Sequence, residues 1–112
     1  MRIFLSSSGN TLDESIVSEV FGRCPYFFIV DIENKKIKSI KSIENIVTNL
    51  SISAGVSAAK MVVEKNADLI ITEAIGPKAL DILKQFNIQV YKGSGLIKDV
   101  IQNFINEKLK II

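Results

Sequence analysis

The sequence predicts an α/β domain built on a mixed sheet of about five strands with helices on both faces. Three observations lead there. Apolar runs of strand length, rich in β-branched and aromatic side chains, stand at residues 2–7 (RIFLSS), 26–32 (YFFIVDI) and 67–72 (ADLIIT). Other segments repeat their apolar residues every three to four positions, the period of an amphipathic helix. In the second half the two kinds alternate, which implies parallel strands joined by right-handed crossovers, while the first half adds a hairpin that enters antiparallel.

The elements follow in order. Residues 2–7 form a buried first strand that runs into the polar loop Ser6-Ser7-Ser8-Gly9. Residues 11–21 carry Leu12, Ile16, Val17, Val20 and Phe21, the pattern of a short amphipathic turn or helix stopped by Gly22 and Pro25. Residues 26–32 and 37–43 flank the polar turn ENKK and read as a hairpin. Isoleucines at 37, 40, 43 and 46 are spaced more like a helix than a strand, but the lysines between them favour an edge strand that frays into a loop. From Ser51 a helix is expected, with serines available as N-caps and Val56, Ala59, Val63 and Ala67 along its packing face. Residues 67–72 are a strand covered on both faces. Gly76-Pro77 opens a second helix with Ala79, Leu80, Leu83 and Phe86 inward and Asn87 as left-handed C-cap. Residues 88–91 are a last strand, Gly93-Ser94-Gly95 a tight loop, and Ile97, Val100, Ile101, Phe104 and Ile105 line a final helix before the charged end EKLK.

Composition bounds the function. A chain of 112 residues with 47% hydrophobic and 23% charged residues can close one core, so residues 1–112 are expected to be a single domain. Net charge is +2 with the lysines dispersed, which argues against a nucleic-acid binder. One cysteine makes no intrachain disulfide, the N-terminus lacks a signal-peptide core, and no apolar stretch approaches the roughly 20 residues of a membrane span. A soluble protein of the reducing cytoplasm is the expectation.

Candidate chemistry gathers where α/β sheets bind ligands, beyond the carboxyl ends of the parallel strands. Three loops qualify: Ser6 to Gly9, Glu73 to Pro77, and Gly93 to Gly95. Two of them open helices, whose unpaired N–H groups favour an anion. There is no GxGxxG and no GxxxxGK[ST] motif, and the first strand carries no carboxylate for a two-metal nuclease. With no histidine, serine nucleophiles lack their usual base, so an enzyme is not expected. Cys24 stands beside Arg23, which favours thiolate; the competing reading is a small semi-buried apolar residue. A single thiolate is too little for a closed metal site, where four ligands are typical.

The segments RIFLSSSG, FGRCPYFFIVD, SAGVSAAKMVVEKNADLIIT and IGPKALDILKQFNIQVYKGSG together resemble the dinitrogenase iron-molybdenum cofactor biosynthesis family, from Arg2 to about Phe104. The most telling pieces are Phe21-Gly22-Arg23 with Pro25-Tyr26-Phe27, and Ile75-Gly76-Pro77 with Ala79. The resemblance implies a three-layer ribonuclease-H-like fold without ribonuclease activity. It also implies a non-catalytic carrier that transiently holds an iron-sulfur or iron-molybdenum cluster precursor. The binding face would comprise Ser7, Ser8, Gly9, Gly22, Arg23, Cys24, Gly76, Pro77, Gly93 and Ser94, with Cys24 as the metal ligand and a cluster-assembly protein as partner of a monomer or weak dimer. Members that serve nitrogenase commonly carry histidines flanking the FG dipeptide; here Val20 and Arg23 stand there. The alternative is a regulatory or protein-interaction module of the same fold that binds no metal.

Overall fold

The computed structural model describes residues 1–47 and 53–112. Its elements are β1 (Arg2–Ser7), β2 (Tyr26–Glu33), β3 (Lys36–Glu44), α1 (Ala54–Glu64), β4 (Leu69–Thr72), α2 (Pro77–Gln85), β5 (Gln89–Lys92), α3 (Ile97–Ile105) and β6 (Lys110–Ile111). Among the described residues the strands form one mixed sheet in the order β3-β2-β1-β4-β5-β6. β1, β4 and β5 run parallel, and β2, β3 and β6 are antiparallel to their neighbours.

The sheet therefore has six strands, not about five. The sixth escaped notice because it is two exposed residues long and follows the charged stretch EKLK; only its pairing with Tyr91 and Lys92 makes it a strand.

Strand alternation divides the core in two. Phe4, Phe27, Ile29, Ile70 and Val90 cluster with Ala58, Ala59 and Val62 of α1 and Ala79 and Leu83 of α2. Ile3, Leu5, Phe28, Val30, Leu69 and Ile71 cluster with Ile97, Val100 and Ile101 of α3. Neighbouring residues of one strand thus fall in different clusters, as a period of two requires.

The hairpin turns on two residues, Asn34 and Lys35, both at positive φ (54° and 63°), which suits the twist of the flanking strands. A bulge accounts for the odd isoleucine spacing in β3. Val30 pairs with Ile40 and Ile32 with Ile37, so Lys38 is the extra residue. Ile37 and Ile40, three apart, consequently share a face, while Ile43 opposite Phe27 packs with the α1 and α2 cluster.

Three expectations need correction. Of the turn or helix expected in residues 11–21, a turn at 12–14 is present and a helix is not; residues 16–20 are an irregular strap whose backbone bonds to three loops. In α1 the buried face is Ala54, Ala58, Ala59 and Val62, rotated from the expected Val56, Ala59, Val63 and Ala67, since the small residues are the ones that admit close approach of α2 and the sheet. Ser53 is the N-cap but sits at φ 68° and makes no side-chain cap; Ser51 lies outside the described residues. Phe86 is 57% exposed rather than inward, because α2 ends at Gln85 and its period stops there. The left-handed Asn87 (φ 60°) is as expected.

Candidate functional site

The strap decides where a ligand can sit. Val17 pairs with Ser7 at the end of β1, Ile16 with Leu96 beyond β5, and Val20 with Ala74 beyond β4. Hydrogen bonds fasten it: Val17 N donates to Gly95 O (2.8 Å), Ser18 N to Ser6 O (2.9 Å) and Phe21 N to Ala74 O (3.1 Å). Beneath it the buried hydroxyls of Ser6 and Thr72 lie 2.8 Å apart, and Ser6 Oγ donates to Ser18 O. The strap thus crosses the carboxyl ends of the three parallel strands.

Five expected residues are drawn into this fastening or left beside it. Ser7 is buried and its hydroxyl donates to Gly9 O at 2.7 Å. Ser8 Oγ accepts from Ile16 N at 3.1 Å. Gly93 is a packing glycine: a Cβ there would lie 2.7 Å from Ile71 Cγ2 and 2.8 Å from Val100 Cγ1. Gly9 abuts the Ser15 side chain, and Ser94 is exposed on the loop leading to α3.

Four others of the expected set converge. Gly22 and Arg23, and Gly76 and Pro77, line one groove of about 410 Å³ with the start of α1. Two helix N-termini open onto it, and neither is capped by its own N-cap side chain: Ser53 is left-handed and Gly76 has none. Residues of both first turns line the groove, so the positive dipole ends of the two helices lie at it. Arg23 and Lys78, both exposed, add formal charge, and no carboxylate lies among the lining residues. The walls are otherwise small or apolar: Val20, Ala54, Gly55, Val56 and Ala79. Electrostatically, the groove suits an anion.

Gly22 makes this geometry. A Cβ at that position would lie 2.5 Å from Gly55 N and closer still to Gly55 Cα, so the loop backbone rests directly on the first turn of α1. Phe21 anchors the same loop below, buried against Phe27 at a ring separation of 5.5 Å.

Cys24 is behind the groove rather than on it. It is fully buried in the α1 and α2 cluster, and its thiol donates to Phe21 O at 3.1 Å. Burial pushes its pKa up to about 11, the reverse of the thiolate that Arg23 was expected to favour. The residue lies where a small apolar side chain would, and its sulfur does not line the groove. Among the described residues no group of three or more His, Cys, Asp or Glu could hold a metal ion. The residues fit recognition of an anion from outside its coordination sphere better than ligation of a bare metal.

Sequence reasoning missed Ser53, Ala54, Gly55, Val56 and Lys78. The small-residue stretch SAG ahead of a helix was a usable signal, because only small residues let a loop lie on a helix start.

Comparison with known proteins agrees with the resemblance read from the motifs. The family description "dinitrogenase iron-molybdenum cofactor" matches residues 1–107. An uncharacterised protein of Methanocaldococcus jannaschii is 35% identical over 111 residues, 98% of this chain and 94% of its own. The apo form of the orange protein from Desulfovibrio gigas superposes with a TM-score of 0.89 at 28% identity, covering 99% of this chain and 92% of that one. A NifB-like protein from Thermotoga superposes with a TM-score of 0.81 at 26% identity, covering 98% and 91%. The chain belongs to the dinitrogenase iron-molybdenum cofactor family.

Proposed function

We propose that the chain is a non-catalytic carrier that holds an anionic iron-sulfur or iron-molybdenum cluster precursor as cargo in the groove between the 21–23 loop and the starts of α1 and α2. The observation that carries this reading is the convergence on one groove of Arg23, Lys78 and two helix N-termini that receive no hydrogen bond from their N-cap side chains, with no carboxylate among the described lining residues. Helix N–H groups and cations stabilise negative charge without entering the metal's coordination sphere. Family membership supplies the class of cargo. Within this reading Gly22 shapes the groove, Gly76 and Pro77 set the start of α2, and Cys24 supports the loop from beneath. The fold is of the ribonuclease-H-like kind with α1 and α2 on one sheet face and α3 on the other, supported by the two core clusters. A reducing cytoplasm is the compartment that suits such a cargo.

Anaerobic incubation with ferrous iron and sulfide, followed by desalting, should leave visible absorption in fixed ratio to protein. Arg23→Glu with Lys78→Glu should remove it, and Cys24→Ser should keep it. A colourless wild-type protein would sink this reading in favour of an interaction module that binds no metal.

A further inference from the structure

One buried polar side chain outside the groove is aimed at its wall. Asn45, 1% exposed, follows β3 directly, and its backbone N–H donates to Pro25 O at 2.9 Å, extending the β2–β3 ladder by one step. Its side-chain Nδ2 donates to Cys24 O at 2.8 Å and to Gly22 O at 3.2 Å, and lies 3.7 Å from Cys24 Sγ. Its Oδ1 accepts from Val47 N at 3.2 Å. Both N–H donors of the amide are thereby used on one loop, and its oxygen accepts from Val47 N.

We propose that Asn45 is a positioning residue for the groove: its amide ties the 22–24 loop to the rigid hairpin and so fixes Gly22 against Gly55. The loop needs such a tie. Its carbonyls at Gly22 and Cys24 are turned inward, where a buried acceptor without a partner is costly. Its outer side carries Arg23, whose place over the α1 and α2 starts depends on the loop's path. Asn is suited to the task because one short side chain offers two donors and one acceptor. Asp offers no donor when ionised, and Ala none at all. Cys24 is the companion piece: its thiol donates to Phe21 O inside the same loop, so its burial reports whether the loop is seated.

This inference rests on the groove being the binding site, but its first two readouts need no ligand. In Asn45→Ala and Asn45→Asp, the modification rate of the Cys24 thiol by a disulfide reagent should rise about tenfold or more, the scale set by losing a buried hydrogen bond. Amide exchange should accelerate at Gly22, Arg23 and Gly55 while Phe4, Ile70 and Val90 stay protected as in wild type. Retention of the iron and sulfide probe should fall in parallel, and adding the probe to wild-type protein should slow thiol modification. Unchanged thiol and exchange rates would overturn the assignment. So would acceleration spread evenly over the sheet, or failure of both variants to fold, either of which makes Asn45 a general stabiliser instead. If wild-type protein holds no probe, the carrier reading fails while thiol and exchange rates still judge Asn45.

Discussion

Gly22 and Cys24 sit two residues apart and illustrate how little of a residue's role is visible in its chemistry alone. Replacing Gly22 by alanine puts a methyl into the backbone of Gly55, where no flexible atom can yield. Gly22→Ala should therefore destabilise the fold by about 1–3 kcal/mol, read from the shift in urea midpoint, and loosen the groove. Gly76→Ala is the matched control: it has open space and an ordinary φ of −71°, so it should be near neutral for stability. Cys24 makes a pH prediction. Its folded pKa, raised by burial to about 11, lies above that of an exposed thiol near 8.5–9, so the unfolded chain loses its proton first as pH rises. The thiol's contribution is flat below about pH 8.5 and lowers stability between roughly pH 9 and 11, by on the order of 2 kcal/mol. Urea melts of wild type and Cys24→Ala across that window should differ in slope; identical slopes would show the thiol to be less buried than it is drawn. The motif FGRCP was readable as a loop because glycine and proline punctuate the chain. Whether its cysteine faces inward stayed open between two readings, since loop sequences carry no periodicity from which a side can be inferred.

At the scale of elements, β3 shows where pattern reading fails and why. Isoleucines three apart were puzzling until the bulge at Lys38 placed two of them on one face; no sequence period encodes an inserted residue. The same strand is a sheet edge of nine residues, guarded by Lys36, Lys38 and Lys41 as well as by the bulge. Replacing the three lysines together by threonine should make the protein self-associate, visible as earlier elution and increased light scattering at high concentration; a product that stays monomeric would mean the bulge alone protects the edge. In the adjoining turn Lys35 holds a φ of 63° that glycine adopts without penalty. Lys35→Gly should thus raise stability by about 0.5–1 kcal/mol. The helices and the central strands were legible because burial imposes its period on sequence. β6 was not, because two exposed residues owe their conformation to the strand they meet rather than to their own composition.

For the whole molecule, the decisive fact is the separation between what holds the fold and what the groove offers. Three ion pairs among the described residues, Arg2 with Asp31, Lys38 with Glu33 and Lys98 with Asp13, involve side chains about a third or more exposed. Such pairs contribute little, and salt screens them. Raising sodium chloride from about 0.05 to 1 M, which shortens the screening length from over 10 Å to about 3 Å, should shift the unfolding free energy by less than about 1 kcal/mol. The same change should markedly weaken retention of the anionic probe by the groove. Equal loss of both would mean that the cations lining the groove also hold the fold together. The mixed α/β class was legible at this scale because alternation of strands and helices leaves few topologies. The candidate groove was only partly legible: Gly22, Arg23, Gly76 and Pro77 line it, but the strap that crosses the neighbouring strand ends is an irregular segment whose course is set by distant partners.

Those distant partners impose an order in time. The strap at residues 16–21 bonds to Ala74 and to Gly95 and Leu96, which a ribosome makes long after it. The loop that continues the strap, and with it one wall of the groove, can settle only when nearly the whole chain has emerged, since loop closure over such separations waits for its far end. An unfinished chain can own a hairpin and part of a sheet, yet it has no groove.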